Sequence, residues 1–267
     1  MMKAVKKYMR VYGLFVRHSI MSMMEYRANF VAGVLVECCF LTLKLMYVFV
    51  VFLTGLSINN LSPYYVMLYV GNYTVITGIY NGLFAENLWW LPFNIKTGML
   101  DLLLVKPISI QFYISTKKLS LPMLAANVVT GITMIIIALC NIEFNASVGG
   151  VILYFLFLIC GVSIAYFLFL LPMLLSFWTI ESRGLIAISD KAWDINMMPM
   201  HIYGRYIQRL LVFIIPFFAI TNFQPLVLID RLDFRYGVWM ILCPLILGFI
   251  SRVLFRRGVR KYESANG

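Results

Sequence analysis

The sequence predicts an all-α integral membrane protein with six spans, and three observations lead there. Hydrophobic residues make up 62% of the 267 positions and charged residues 12%, where soluble domains are about half apolar and a quarter charged. Mean hydropathy is +0.89. Apolar runs of roughly the 20 residues that a bilayer core requires follow one another along the chain. Basic residues gather between them: Lys3, Lys6, Lys7, Arg10, Arg17 and Arg27, then Lys96, Lys106, Lys117 and Lys118, then Arg252, Arg256, Arg257, Arg260 and Lys261. Cytoplasmic loops facing anionic lipid carry this bias. The excess of 22 basic over 11 acidic residues is therefore assigned to the membrane surface and not to nucleic acid.

Residues 3–27 form an amphipathic pattern, with Val5, Tyr8, Met9, Tyr12, Val16, Ile20 and Met23 on one face and the lysines and arginines opposite. Such a helix lies in the headgroup plane of the cytoplasmic leaflet. The first span, 30–53, carries Glu37 and Lys44, which share a face two turns apart. Charges at that depth cost a few kcal/mol each unless protein or a water-filled cavity receives them, so both are candidates for lining a path or for holding helices together. The second span, 63–84, has Gly71, Thr74, Gly78 and Gly82 at helical spacing, a stripe that lets backbones approach closely, within the chain or between subunits. Trp89 and Trp90 then mark the inner interface,.

The third span runs over 119–140 with Pro122 in its first turn, where a missing donor costs least,. The fourth, 148–178, is longer than a crossing requires and should tilt, or kink at Pro172,. Residues 180–229 admit two layouts. In one, 180–204 is a cytoplasmic loop and 205–223 a span. In the other, a polar fifth helix near 183–198, carrying Asp190 and Asp194 as candidate path-lining residues, precedes a re-entrant pair at 200–228, tolerated only where protein or a cavity surrounds it. A last span at 237–254 leaves both termini cytoplasmic in either layout.

Chemistry in the chain itself is sparse. There is no GxxxxGK[ST] phosphate loop and no dinucleotide-binding fingerprint,. The acidic residues are scattered. Five cysteines lie in apolar runs and read as small core hydrophobes,. The two histidines are too far apart to suggest a metal centre. No cleavable signal peptide is expected, because the basic start precedes a full-length span,. The chain is read as a non-enzyme with no cofactor or metal of its own.

The well-marked polar interruption in the first two thirds of the chain, Trp89 to Lys118, has an apolar centre. Thr97 is expected to cap a short helix rich in leucine, and Pro107 to end it,. The string containing Gly98, Leu100, Leu103 and Leu104, then Lys106-Pro107-Ile108-Ser109 and a basic pair, resembles the first cytoplasmic loop of permease subunits of type-2 ATP-binding cassette (ABC) transporters. Met198 to Leu228, with Pro199, Ile202 and Tyr203, then Ile215-Pro216-Phe217 and Gln224-Pro225, is similar to the same family's region before its last helix.

That resemblance implies a coupling helix at 97–106, with Thr97, Gly98, Leu100, Leu103, Leu104, Lys106 and Pro107 contacting an ATPase. It also implies the re-entrant layout. It further implies two copies of a separately encoded ATPase holding ATP and Mg, a second permease, identical or related, and ATP-driven export of an amphipathic or apolar substrate from a bacterial inner membrane. The alternatives are an ion-coupled secondary carrier using Glu37, Lys44, Asp190 and Asp194, and a membrane scaffold.

Overall fold

A computed structural model describes residues 2–55, 62–142, 147–179, 183–197 and 199–262, with backbone alone at 2–4, 183, 185 and 190. Among them every regular element is helical. In lipid no water can satisfy a free N–H or C=O, so helices, which close their hydrogen bonds internally, are the form an apolar chain takes.

Helix α1 (Met2–Glu25) ends where Tyr26 leaves helical geometry, and α2 (Arg27–Thr54) departs from there to a left-handed Gly55. Helix α3 (Pro63–Tyr80) continues through a π turn (Asn81–Ala85) into α4 (Glu86–Lys96). A single turn, α5 (Asp101–Leu104), and α6 (Ile110–Thr116) lead to α7 (Leu121–Cys140). Helix α8 (Val148–Leu174) carries Pro172 without breaking and tightens into a 3-10 turn (Leu175–Phe177). After α9 (Arg183–Trp193) come two 3-10 turns, α10 (Arg205–Arg209) with a π extension to Ile214, α11 (Phe217–Thr221) and α12 (Phe223–Leu228). The chain then rises into α13 (Phe234–Lys261), which begins at an Asp233 cap.

Four of these are long and apolar enough to cross a membrane: Arg27–Thr54, Leu121–Cys140, Val148–Phe177 and Phe234–Lys261. Helix α3 is less apolar because it is the axis of the bundle. Between Val66 and Gly78 every residue except Met67 is buried, so α3 meets protein on all sides and has no need of a lipid-facing surface. The outer helices keep one apolar side exposed, as at Leu35, Phe40 and Leu43 of α2 or Ile152, Phe155 and Ile159 of α8.

The glycine stripe explains how α3 comes so close to α7. A Cβ on Gly78 would lie 2.7 Å from Asn127 Cβ, one on Gly82 2.7 Å from Leu124 Cβ, and one on Gly71 3.0 Å from the Gly131 carbonyl oxygen. From the other side, a Cβ on Gly131 would sit 2.7 Å from the Gly71 carbonyl oxygen and 2.9 Å from the Val75 nitrogen. Thr74, fully buried, turns its hydroxyl to the Val70 carbonyl of its own helix. The stripe is thus used inside the chain, against α7.

Candidate functional site

Two polar networks and one exposed apolar turn stand out from this apolar frame. Glu37 and Lys44 lie two turns apart on α2 and do not reach each other. Asn127 of α7 lies between them: its amide nitrogen donates to Glu37 Oε1, and its amide oxygen accepts from Lys44 Nζ at 2.8 Å. The Lys44 ammonium also lies 5.3 Å from the centre of the Tyr73 ring. Both charges are buried. One amide, offering a donor to the carboxylate and an acceptor to the ammonium, ties α2 to α7. Sequence reading found the two charges but not Asn127, whose only local mark is a polar residue in an apolar helix. Asp194 is exposed on its 3-10 turn, and the side chain of Asp190 lies outside the described residues.

The second network gathers around the N-terminal half of α3. The Tyr69 hydroxyl donates to the Asn196 carbonyl at 2.7 Å and meets Thr221 Oγ1 at 3.1 Å. Asn72 donates to the Thr221 carbonyl at 2.9 Å and accepts from the Tyr154 hydroxyl at 3.1 Å. Asn222 accepts the Met200 N–H at 2.7 Å, and Gln224 donates to the carbonyls of Phe157 and Ile220. Gly161 leaves room for this, because a Cβ there would collide with Gln224 and the Ile220 carbonyl. The Asn196, Ile220 and Thr221 carbonyls and the Met200 N–H are thus satisfied by side chains, as buried backbone polar groups must be. Tyr69→Phe should lower thermal stability in detergent by about 1–3 kcal/mol, the cost of leaving buried partners unmet. An unchanged melting temperature would show that the hydroxyl is dispensable.

The third feature lies at the opposite end of α3, beyond Trp89 and Trp90. Several expectations about it need correction. Thr97 does not cap the following turn; it closes α4, its hydroxyl donating back to the Phe93 carbonyl at 2.8 Å. Gly98 makes the reversal, with φ of 72°, a conformation glycine adopts without strain. The helical segment is only Asp101–Leu104, ending three residues before Pro107.

Leu100 and Leu103 are 0% and 8% exposed and belong to the core. They anchor the turn to the core, and Leu103 shows only an edge to a neighbouring cavity. Leu102 and Val105 are 66% and 82% exposed, and Met99 and Leu104 are exposed beside them. Four apolar side chains therefore project from one turn, and two of the three leucines picked from sequence point inward. Spacing alone could have separated these faces, since Leu100 and Leu103 are three apart, as are Met99, Leu102 and Val105,.

The turn is braced on two sides. From α1, Lys7 Nζ donates to the Pro107 carbonyl, the Tyr8 hydroxyl accepts the Ser109 N–H at 3.1 Å, and Ser19 Oγ accepts the Leu119 N–H at 3.2 Å. Tyr8 and Phe15 add edge-to-face contacts with Phe112 and Tyr113 at 4.9 and 5.3 Å. The chain-facing side of α1 is therefore Tyr8, Val11, Phe15 and Ser19, while Val5, Met9, Tyr12 and Ile20 remain exposed. Just past α13, Tyr262 faces Asp101; its phenol pKa is raised by burial and by that carboxyl.

Beside the turn a cavity of about 380 Å³ opens between α4, α5 and α6, with Lys106, Lys117 and Lys118 among its lining. No cluster of metal-ligating side chains exists among the described residues.

The sequence matches, over residues 38–266, the model of a family described as "ABC-2 family transporter protein". No curated protein and no solved structure matches the chain. With most of its length in the match, the chain belongs to the ABC-2 transporter family.

Proposed function

From membership of the ABC-2 transporter family, whose permeases are membrane components and not themselves catalytic, we propose that this chain is the multi-pass permease half of an exporter driven by a separate ATPase. The observation that carries the reading is the turn at 99–105. Met99, Leu102, Leu104 and Val105 are exposed on a segment that Leu100 and Leu103 hold rigidly to the core. An apolar knob beyond the tryptophan belt calls for a protein groove, and a sequence without the GxxxxGK[ST] pattern supports assigning ATP and Mg to that partner.

The fold supports a push through this turn. Force on α5 passes through the Gly98 reversal into α4, which continues through the π turn into α3 with no loop between them. It reaches α7 through α6. The glycine contact makes α3 and α7 one body, and Asn127 brings α2 along. Changing such a two-state balance from 1:99 to 99:1 requires about 5.5 kcal/mol of differential affinity. ATP-dependent grip on the turn would supply it, in a complex of two ATPases and two permeases, identical or related, with an amphipathic or apolar cargo.

Six crossings with both termini cytoplasmic complete this reading, in a bacterial inner membrane. What supports the fifth is the path of 183–197. Trp193 stacks on Tyr80 at 4.7 Å, and three residues later Asn196 reaches Tyr69, so the segment climbs along α3 from its inner half to its outer half. What supports a re-entrant hairpin at 200–228 is that α11 and α12 are almost wholly buried against α3 and α8. The apolar exposed side of α1 supports its placement in the headgroup plane,.

Leu102→Asp and Val105→Asp should each abolish ATP-driven transport and ATPase co-purification while folded permease is retained, because both side chains are exposed. Leu100→Asp and Leu103→Asp should instead deplete folded protein, since each buries a charge. Coupled transport surviving both Leu102→Asp and Val105→Asp would overturn the docking assignment.

A further inference from the structure

The cavity between α4, α5 and α6 has a chemistry that the docking turn does not use. Its walls are aromatic and apolar at Trp90, Phe93, Met99 and Leu102, and its polar groups are dominated by three ammonium groups. Lys106 lies 4.4 Å and Lys117 5.5 Å from the centre of the same Tyr113 ring, and Lys118 lies 4.5 Å from that of Trp90. Aromatic rings hold cations this way without neutralising them. Three lysines and no acidic residue line the cup, and Glu86, 2.6 Å from Lys118, is a carboxylate paired at its edge, which leaves a positive surplus.

The surplus has a location as well as a sign. Trp89, Trp90 and Phe93 are exposed at the end of α4, where an aromatic belt meets headgroups, and the amphipathic α1 is fixed alongside through Tyr8 and Phe15. The volume of about 380 Å³ falls in the range of ligand pockets, roughly 300–1,000 Å³. We propose that this cup binds the phosphate headgroup of an anionic glycerophospholipid from the cytoplasmic leaflet. Lys106 and Lys117 contact the phosphate, and the first part of an acyl chain lies on Trp90 and Phe93. The occupant joins α4 to the turn that carries the docking residues, so leaflet charge bears on how stiffly the turn is held. Lipid binding itself does not depend on the ATPase.

The test uses the full chain in nanodiscs containing equal phosphatidylglycerol and phosphatidylcholine, with retained lipid read by native mass spectrometry. The wild-type chain should retain phosphatidylglycerol in preference. K106Q/K117Q should lower that preference roughly 10- to 30-fold, as expected for removing two cations that act on an anionic headgroup. K96Q, which removes an exposed lysine outside the cup, should leave it unchanged.

L102E places a carboxylate at the cup and should also lower the preference; because Leu102 is exposed, this variant decides the question if the double variant misfolds. Undiminished preference in K106Q/K117Q or in a folded L102E overturns the proposal. So does displacement of the lipid by excess inorganic phosphate, which would make the cup a site for the free anion. Unchanged lipid with loss of ATPase co-purification in K106Q/K117Q overturns it as well, assigning the lysines to the protein partner.

Discussion

Asn127→Leu is expected to destabilise the protein by about 3–5 kcal/mol, the cost of breaking a buried charge arrangement by removing one member. The two lost hydrogen bonds are the smaller part, since such bonds between membrane helices average about 0.6 kcal/mol. The larger part is that Glu37 and Lys44 remain buried with no group between them, and a charge at depth costs about 2.5–3.5 kcal/mol. The midpoint of thermal aggregation in detergent should fall by many degrees. E37L/K44M/N127L should recover most of the loss, because removing all three members strands nothing. If the single variant melts with the wild-type chain, the amide is not what holds α2 to α7. If the triple variant is as unstable as the single one, packing and not charge explains the loss.

Gly131→Val should be at least as damaging. The obstruction is backbone, with the Gly71 carbonyl oxygen 2.7 Å and the Val75 nitrogen 2.9 Å from where the new Cβ must sit, and backbone cannot swing aside as a side chain can. Two helices would have to separate along the contact that joins the bundle axis to α7. Overpacking typically costs about 1–3 kcal/mol and occasionally more; here the folded yield should collapse. Gly33→Ala is the matched control, because a Cβ at Gly33 meets nothing within 4 Å and alanine is favoured over glycine in a helix by about 1 kcal/mol. Wild-type yield from Gly131→Val would show that α3 and α7 can move apart freely, and would remove the rigid body through which a push at 99–105 is carried.

These two sites differ in how far sequence could show them. The glycines were visible as a stripe because helical spacing is a local property. Their partner was not, since Gly131 stands alone in α7 and a lone glycine carries no spacing signal. Glu37 and Lys44 were visible as charges in an apolar run, yet the residue that accepts them is more than eighty positions away. The turn at 97–106 was legible as an apolar island in a polar stretch. Its orientation was not, because only burial by the rest of the bundle fixes which leucines turn inward, and Leu100 and Leu103 are the two that do. Thr97 was misplaced for a similar reason: a threonine beside a glycine can begin one helix or end another, and here α4 runs on through Pro92 to reach it.

What the sequence determined by itself is the class of solution. Long apolar runs divided by basic segments commit the chain to lipid, and lipid commits its backbone to helices, because each peptide group must find its partner within a few residues. What only the tertiary structure decided is which polar groups meet. Tyr69, Asn72, Tyr154, Asn196, Asn222 and Gln224 come from distant parts of the chain and converge on one broken segment. Lys106, Lys117 and Lys118 converge with Trp90 and Tyr113 on one cup. Helical periodicity assigns each side chain to a face and says nothing about what that face will touch, and in an apolar solvent a polar side chain is held by whichever distant partner the packing of the helices delivers.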